Sequence, residues 1–381
     1  MNQRLRLNAY RPTVAEIDLV ALKNNVKTLR KLTQGIKFMA VVKADAYGHG
    51  SVEAGKAVLQ AGADRLGVSF VEEAALLREA GITAPIHVLS AVAPDQAKDI
   101  VDYGLIASIS SVRFAKELSS AAASSQKTLK VHLKLDTGLH RFGILPEDVL
   151  CFCEEVYSSP YLEWEGIFTH LSTADEGVWD IAEKQVDLFK KIVEELKKHG
   201  CRFPTKHVGG STVNIERPDM HFDMVRPGIS LFGYCPAPRQ ERMVKLEQVM
   251  SIKTRIIQVR KLPAHTHVGY GGNYCTRSDT RVATLPIGFG DGYSRSLSGK
   301  AEALIRGRRC KLAGKVSLDQ ILVDLEPVPE AEEGDEVVLL GRQGDDMITG
   351  REMAAWMNGI PDQVVSTLTA RMPRIYLNGS P

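Results

Sequence analysis

The feature that most constrains this chain is an alternation of short apolar runs with amphipathic segments across its first two-thirds. Phe38–Lys43, Leu66–Phe70, Ile86–Leu89, Leu105–Ile109, Lys130–Leu135, Trp164–Phe168, Lys206–Val208 and Asp223–Val225 read as strands, the last two short. Val71–Ala80, Ser111–Ala123 and Trp179–His199 read as helices between them. In Val71–Ala80, Val71, Ala74, Ala75 and Leu77 fall near one face, with Glu72, Glu73 and Arg78 elsewhere. Eight βα alternations over roughly 200 residues predict an α/β fold, a (β/α)8 TIM-type barrel. Periodicity alone also permits a doubly wound sheet.

After about residue 245 the pattern changes. Val249–Arg260, Arg281–Pro286, Ala303–Arg306, Ile321–Asp324 and Glu336–Leu340 read as strands, separated by turns such as Gly290-Asp291-Gly292 and Glu333-Gly334-Asp335. One helix is expected near Gly350–Met357. The expected division is a barrel over 1–245 and a mostly-β C-terminal domain over 246–381. A length of 381 residues has room for both cores.

A net charge of +2 makes no case for nucleic acid or a membrane surface as partner. No stretch approaches the ~20 apolar residues of a membrane span. Met1–Asn8 contains no apolar run of signal-peptide length, so a cytoplasmic location is expected. The six cysteines are scattered and lack zinc-ligand spacing; reduced thiols and no metal are expected.

Barrels carry their sites at the C-terminal ends of the strands, and several marked residues fall there. Lys43 ends the first strand, inside Val41-Val42-Lys43-Ala44-Asp45-Ala46-Tyr47-Gly48-His49-Gly50. A desolvated lysine loses its proton readily, which is what Schiff-base chemistry needs. Lys134 closes the fifth strand within Leu133–Gly143, His170 follows the sixth, Gly209-Gly210-Ser211-Thr212 the seventh and Arg226-Pro227-Gly228-Ile229 the eighth. Loops after the last two strands often hold phosphate, because glycines let backbone N–H groups approach an anion. Singly, each has a plainer reading: Gly-Gly-Ser as a turn, Lys134 as a snorkelling strand end, His170 as a satisfied core histidine. At successive strand ends they point to one site.

The decapeptide at 41–50 resembles the pyridoxal-phosphate (PLP) attachment segment of the alanine racemase family. The other strand-end segments resemble that family in the same order. So do Gly269-Tyr270-Gly271 and Leu285–Tyr293 of the second domain. The resemblance implies an alanine racemase interconverting L- and D-alanine, with PLP as the electron sink and a base on each face of Cα. It makes Lys43 both the Schiff-base lysine and one base, and Tyr270 the second base. Tyr47, His170, Ser211, Arg226, Gly228 and Ile229 would bind the cofactor. Arg226 would face the pyridine nitrogen, to which a guanidinium cannot readily give a proton. Arg141 and Leu318 would meet the substrate. Lys134 matches a lysine that is often carbamylated; a carbamate would pair with Arg141 where a second bare cation would repel it. A phenol near pKa ~10 needs cations or donors to act as a base; in the family, tyrosine, histidine and arginine share one network. The tyrosine comes from the partner subunit, so the resemblance implies a homodimer with shared active sites. Val316–Gln320 would arrive from the same partner domain.

Asp175, Phe289, Lys315 and Ala370 match entrance positions. Several positions depart from the family pattern: Gly210 stands where asparagine is common, Phe289 for tyrosine, Leu318 for methionine, Lys315 for arginine and Ala370 for tyrosine. Ala370 removes a phenol and opens space, which favours a broader-range racemase accepting serine or larger side chains; the remaining motifs favour alanine. A non-catalytic PLP-binding barrel protein would lack Tyr270 and the β-rich region. A PLP amino-acid decarboxylase could share the architecture but not the two specific segments.

Overall fold

The computed structural model describes residues 11–33 and 35–378; the reading of Met1–Asn8 lies outside them. The first strand is β1 (Val14–Asp18). Eight more follow: β2 (Lys37–Val41), β3 (Arg65–Val68), β4 (Ile86–Val88), β5 (Ile106–Ile109), β6 (Leu129–Lys134), β7 (Leu162–Phe168), β8 (Thr205–His207) and β9 (Met224–Val225). The chain divides into two compact units. Leu22–Glu247 forms one, and the described residues before Leu22 join those after Glu247 in the other.

In the first unit the strands are hydrogen-bonded in the order β8-β7-β6-β5-β4-β3-β2-β9, every pair parallel. Single backbone bonds link the two ends. Asp223 N–H donates to Lys206 O at 3.0 Å and Arg226 N–H to Gly209 O at 3.2 Å, so the sheet nearly closes into a barrel. All eight expected strands are present, within a few residues of their expected ends. The middle ones read as continuous apolar runs because parallel strands are covered on both faces; β3, β4 and β5 are buried at every position. Helices cover the outside. In Val112–Ser124, Ser111 caps the start by accepting the Phe114 N–H, and Phe114, Ala115, Leu118 and Ala122 are buried. Truncating a buried leucine such as Leu118 to alanine costs about 2–5 kcal/mol.

The second unit contains β10 (Met250–Arg255), β11 (Gln258–Leu262), β12 (His267–Val268), β13 (Tyr274–Cys275), β14 (Thr280–Leu285), β15 (Glu302–Ile305), β16 (Arg308–Lys311), β17 (Ile321–Asp324), β18 (Glu336–Gln343), β19 (Asp346–Ile348) and β20 (Arg374–Leu377). Its main sheet runs β16-β15-β18-β10-β1-β20, with β19 on β18; β11-β14-β17 and β12-β13 form two smaller sheets. The run expected as one strand, Val249–Arg260, breaks at Ile256 and Ile257. A second helix, Pro361–Ser366, follows Gly350–Met357.

The expected boundary is corrected at the N-terminus: residues from 11 onward do not begin the barrel. Strand β1 pairs antiparallel with β10 and parallel with β20, inside the β-rich unit. Its sequence alternates buried Ala15 and Ile17 with less buried Val14, Glu16 and Asp18, the pattern of a sheet with one covered face. Lys253 on β10 reaches Glu16 at 2.8 Å.

Candidate active site

Strand β2 stops at Val41, and Lys43 opens the turn that follows rather than ending the strand. Ala44, Asp45, Ala46 and Tyr47 have φ of 53°, 53°, 54° and 52°, a left-handed turn of four non-glycine residues. That conformation costs roughly 1–2 kcal/mol per residue and persists only where surroundings hold it. The Asp45 carboxylate accepts the Ser51 N–H at 2.7 Å, and Gly50 N–H donates to Asp45 O at 2.9 Å. The buried His49 puts Nδ1 2.9 Å from Ala46 O and 3.0 Å from Tyr47 O, and its ring stacks on Phe232 at 4.3 Å. The result aims Lys43 and Tyr47 together: Lys43 Nζ lies 5.9 Å from the Tyr47 ring centre.

The Tyr47 hydroxyl meets loops from the other end of the sheet. A Cβ on Gly228 would stand 2.4 Å from it, so only glycine admits the phenol. Ser211 Oγ accepts the Gly228 N–H at 3.0 Å and lies 3.0 Å from Ser230 Oγ. A phenol, two hydroxyls and the Gly228–Ile229 backbone thus converge from behind β2, β8 and β9. This donor set, in a cradle that a side chain would fill, fits a phosphate. Asp175 holds the same region from outside: its carboxylate accepts from Thr212 Oγ1 and its carbonyl from Arg239 at 3.2 Å.

Arg226 is buried, with Nη2 donating to Thr169 O at 2.9 Å and Val208 O at 3.1 Å, and lying 3.2 Å from His170 Nδ1. Burial pushes its guanidinium down to about 9, which leaves it a cation at neutral pH. His170 is held well below its ordinary range, by desolvation and then by the cations Arg226, Arg141, Lys134 and Lys43 that surround it. Lys134 is buried, donating to Leu135 O at 2.6 Å and Phe142 O at 3.3 Å. Burial brings its amine down to about 7, with Arg226 and Arg141 pushing the same way and Asp136 opposing. Arg141 is exposed, its guanidinium 5.9 Å from the Phe142 ring.

The sequence reading missed what lies behind Arg226. His87, His132 and His207, on β4, β6 and β8, are fully buried. Alternate barrel strands contribute one interior layer, so these three share a level. Arg226 Nη1 lies 2.7 Å from His207 Nδ1, His207 Nε2 2.8 Å from His132 Nδ1, and His132 Nε2 2.9 Å from a Glu165 carboxylate oxygen. Arg65 and Lys130 bind Glu165 at 2.8 Å and 3.1 Å. The available signal was one histidine in each of three expected strands, the third, fifth and seventh of the barrel.

In the β-rich unit, Tyr270 stands at the tip of the β12–β13 hairpin, 70% exposed. Gly269, Gly271 and Gly272 flank it with φ of 74°, 76° and 57°, which side chains rarely adopt. A Cβ on Gly271 would lie 3.1 Å from Lys315 Nζ, which places Lys315 beside this loop. Phe289, Leu318 and Ala370 share a second cluster. Phe289 N–H donates to Ser317 O and Gly290 N–H to Leu318 O, each at 2.9 Å; Thr369 Oγ1 donates to Gly290 O at 3.0 Å; and Arg371 pairs with Asp319 at 2.8 Å. Phe289, Leu318 and Ala370 are all exposed. The barrel unit therefore brings together Lys43, Tyr47, Ser211, Gly228, Ile229, Arg226, His170, Lys134 and Arg141. The β-rich unit displays Tyr270, Lys315, Phe289, Leu318 and Ala370.

Residues 17–236 match the family model for the alanine racemase N-terminal domain, and residues 249–376 match that for its C-terminal domain. The alanine racemase of Halothermothrix orenii is 38% identical over 379 residues, 99% of each chain. The crystal structure of alanine racemase from Bacillus anthracis with bound L-Ala-P superposes with a TM-score of 0.92 at 33% identity, covering 97% of this chain and 96% of that one. A histidine racemase from Leuconostoc mesenteroides superposes at 0.89 with 30% identity, covering 97% and 99%.

Proposed function

The chain belongs to the alanine racemase family, and we propose that it interconverts L- and D-alanine on PLP, with Lys43 and Tyr270 as its two bases. The observation that carries this reading is the convergence of Lys43, the Tyr47–Ser211–Gly228 anion cradle and Arg226 on one barrel mouth. When bound, PLP supplies the electron sink that acidifies the substrate Cα–H. Tyr47, Ser211 and the Gly228–Ile229 backbone hold its phosphate. Lys43 attaches it and moves a proton at Nζ on one face of Cα. Tyr270 moves the other proton at its phenol oxygen.

Arg226 would face the ring nitrogen as a donor that keeps its own proton, which would disfavour transamination. Arg141, an exposed guanidinium, orients the substrate carboxylate. Lys134, with its amine near 7, is poised to take up CO2 as a carbamate that pairs with Arg141. Leu318 lines the substrate side, while Asp175, Phe289, Lys315 and Ala370 shape the entrance.

Tyr270 is exposed on its hairpin, which suits a base delivered to a second copy of the chain. The active unit is a homodimer with shared sites, each β-rich domain completing its partner's. Among the described residues no helix is long and apolar enough to cross a membrane; a cytoplasmic setting is part of this proposal. The alanine racemases of Halothermothrix orenii and Bacillus anthracis favour alanine over a broad amino-acid range, and the exposed Tyr270 argues against a non-catalytic barrel. Incubating the chain with L-alanine, with and without added PLP, tests the reading. PLP-dependent D-alanine is expected. Turnover of histidine or serine but not alanine would overturn the substrate assignment.

A further inference from the structure

We propose that Glu165, His132 and His207 form a one-directional hydrogen-bond column whose task is to seat Arg226, making them positioning residues for the site above. The direction follows from proton counting. Arg226 can only donate, so His207 Nδ1, 2.7 Å away, is an acceptor and carries no proton. The proton of neutral His207 is then on Nε2, which donates to His132 Nδ1 at 2.8 Å. His132 in turn keeps its proton on Nε2 and donates it to the Glu165 carboxylate at 2.9 Å. The column thus runs from a buried cation to a buried anion, and each link dictates the tautomer of the next.

Three further observations support a built column. Gly166 on β7 is required by it: a Cβ there would stand 2.3 Å from His132 Nδ1 and Cε1. The anionic end is fixed independently of the site. Burial opposes ionisation of Glu165, yet His132 and Arg65 hold its carboxyl well below the usual range, and Lys130 adds a third contact. Burial also keeps the histidines neutral, His132 at about 4 and His207 well below its ordinary value, so the chain of donors is not scrambled by protonation near pH 7.

The third histidine of the layer completes the proton count. Ser108 Oγ donates to Val88 O at 2.7 Å, so it accepts from His87 Nε2 at 3.1 Å. The ligand atoms of His87, His132 and His207 lie within 4.8 Å of one another, the spacing of a metal trio. A cation there would have to strip the Nε2 proton from His207 while Arg226 occupies the other nitrogen, leaving an imidazolate. The column is therefore a proton-ordered structure rather than a metal centre.

The consequence is geometric. Arg226 hangs from His207 through Nη1 and from the Thr169 and Val208 carbonyls through Nη2. Without an accepting Nδ1 on His207, Nη1 loses its one side-chain anchor. This inference rests on the reading that Arg226 faces the cofactor ring. The test compares His132→Phe, which keeps a ring and removes both polar links, with His132→Gln, whose amide can still accept from His207 and donate to Glu165. Nitrogen-15 spectra of histidine-labelled full chain, with and without PLP, report which ring nitrogens carry protons. In the parent, His207 should show a bare Nδ1 and a protonated Nε2. His132→Phe should lose that signature and His132→Gln should keep it. With PLP, the Phe variant should lose roughly ten- to a hundredfold in kcat with KM little changed, and should form more transamination product. The Gln variant should lie near the parent.

Should His132→Phe fail to fold, the isosteric Glu165→Gln serves, because a neutral amide can donate back to His132 and reverse the column. It too should alter the His207 signature. A parent whose His207 carries its proton on Nδ1, or a Phe variant with the parent's His207 signals and side-product fraction, overturns the proposal. The spectra without PLP judge the column and the alanine assay judges the functional reading, so the two failures are distinguishable.

Discussion

Gly228 lies so close to Tyr47 that a Cβ built on it would stand 2.4 Å from the tyrosine hydroxyl oxygen. Gly228→Ala must therefore push the phenol out of the anion cradle. Loss of one hydrogen bond to a charged phosphate costs about 1.5–3 kcal/mol, so PLP affinity should fall about ten- to 150-fold. Tyr47→Phe should fall by a similar amount, and the double variant no further. Equilibrium titration of PLP into the apo chain measures this. An alanine variant with parental affinity would place the phosphate elsewhere.

Lys134 connects burial to covalent chemistry. With its amine brought down to about 7 by burial, much of it is unprotonated and nucleophilic at pH 8. Equilibration with 13C-labelled bicarbonate should give a carbamate carbon signal that Lys134→Met abolishes. That variant should also raise KM for alanine through a less fixed Arg141. The absence of any lysine-dependent signal would mean the amine rests between the Leu135 and Phe142 carbonyls.

The barrel's histidine layer should make the fold sensitive to acid. His87, His132 and His207 are neutral in the fold, with His132 at about 4 and the others well below 6.5, chiefly through burial. The unfolded chain takes up these protons below about pH 6.5 and the folded chain does not, so stability falls as pH drops through that window. The slope is about 1.4 kcal/mol per pH unit for each histidine. Glu165, depressed in the fold, loses its stabilising contribution only below the ordinary carboxylate range. Denaturant midpoints should fall steadily from pH 7 to pH 5. A flat profile would show that these rings already titrate in the folded state.

Ala370 sits between Thr369, bonded to Gly290 O at 3.0 Å, and Arg371, paired with Asp319 at 2.8 Å. It lies in the exposed cluster of Phe289 and Leu318. Ala370→Tyr is expected to raise the alanine-to-serine ratio of kcat/KM, within the roughly hundredfold that a pocket achieves against an added hydroxyl. An unchanged ratio would remove Ala370 from the entrance.

Much of this was legible in residue order because the barrel advertises itself locally. Strands such as Ile86–Val88 and Ile106–Ile109 are buried on both faces and read as uninterrupted apolar runs. The candidate site residues of the barrel stood out by falling near successive strand ends, but the role of each was implied only by the family resemblance. Strand β1 was not, since Val14–Asp18 is short and its partners, Met250–Arg255 and Arg374–Leu377, lie hundreds of residues away. The left-handed turn at Ala44–Tyr47 was hidden too, as alanine and tyrosine carry no propensity for it. The column from Arg226 to Glu165 was illegible for a third reason. Each histidine alone reads as a satisfied core residue, and only strand register brings His132 and His207 within 2.8 Å.

On the proposed function, Lys43 of one chain and Tyr270 of another act on the same substrate. Lys43→Ala and Tyr270→Phe chains should each be inactive alone. Mixed under conditions of demonstrated subunit exchange, they should regain PLP-dependent alanine racemisation, because one of the two sites in each mixed dimer carries both bases. Full exchange with no recovered activity would contradict the account and assign Tyr270 to the site of its own chain.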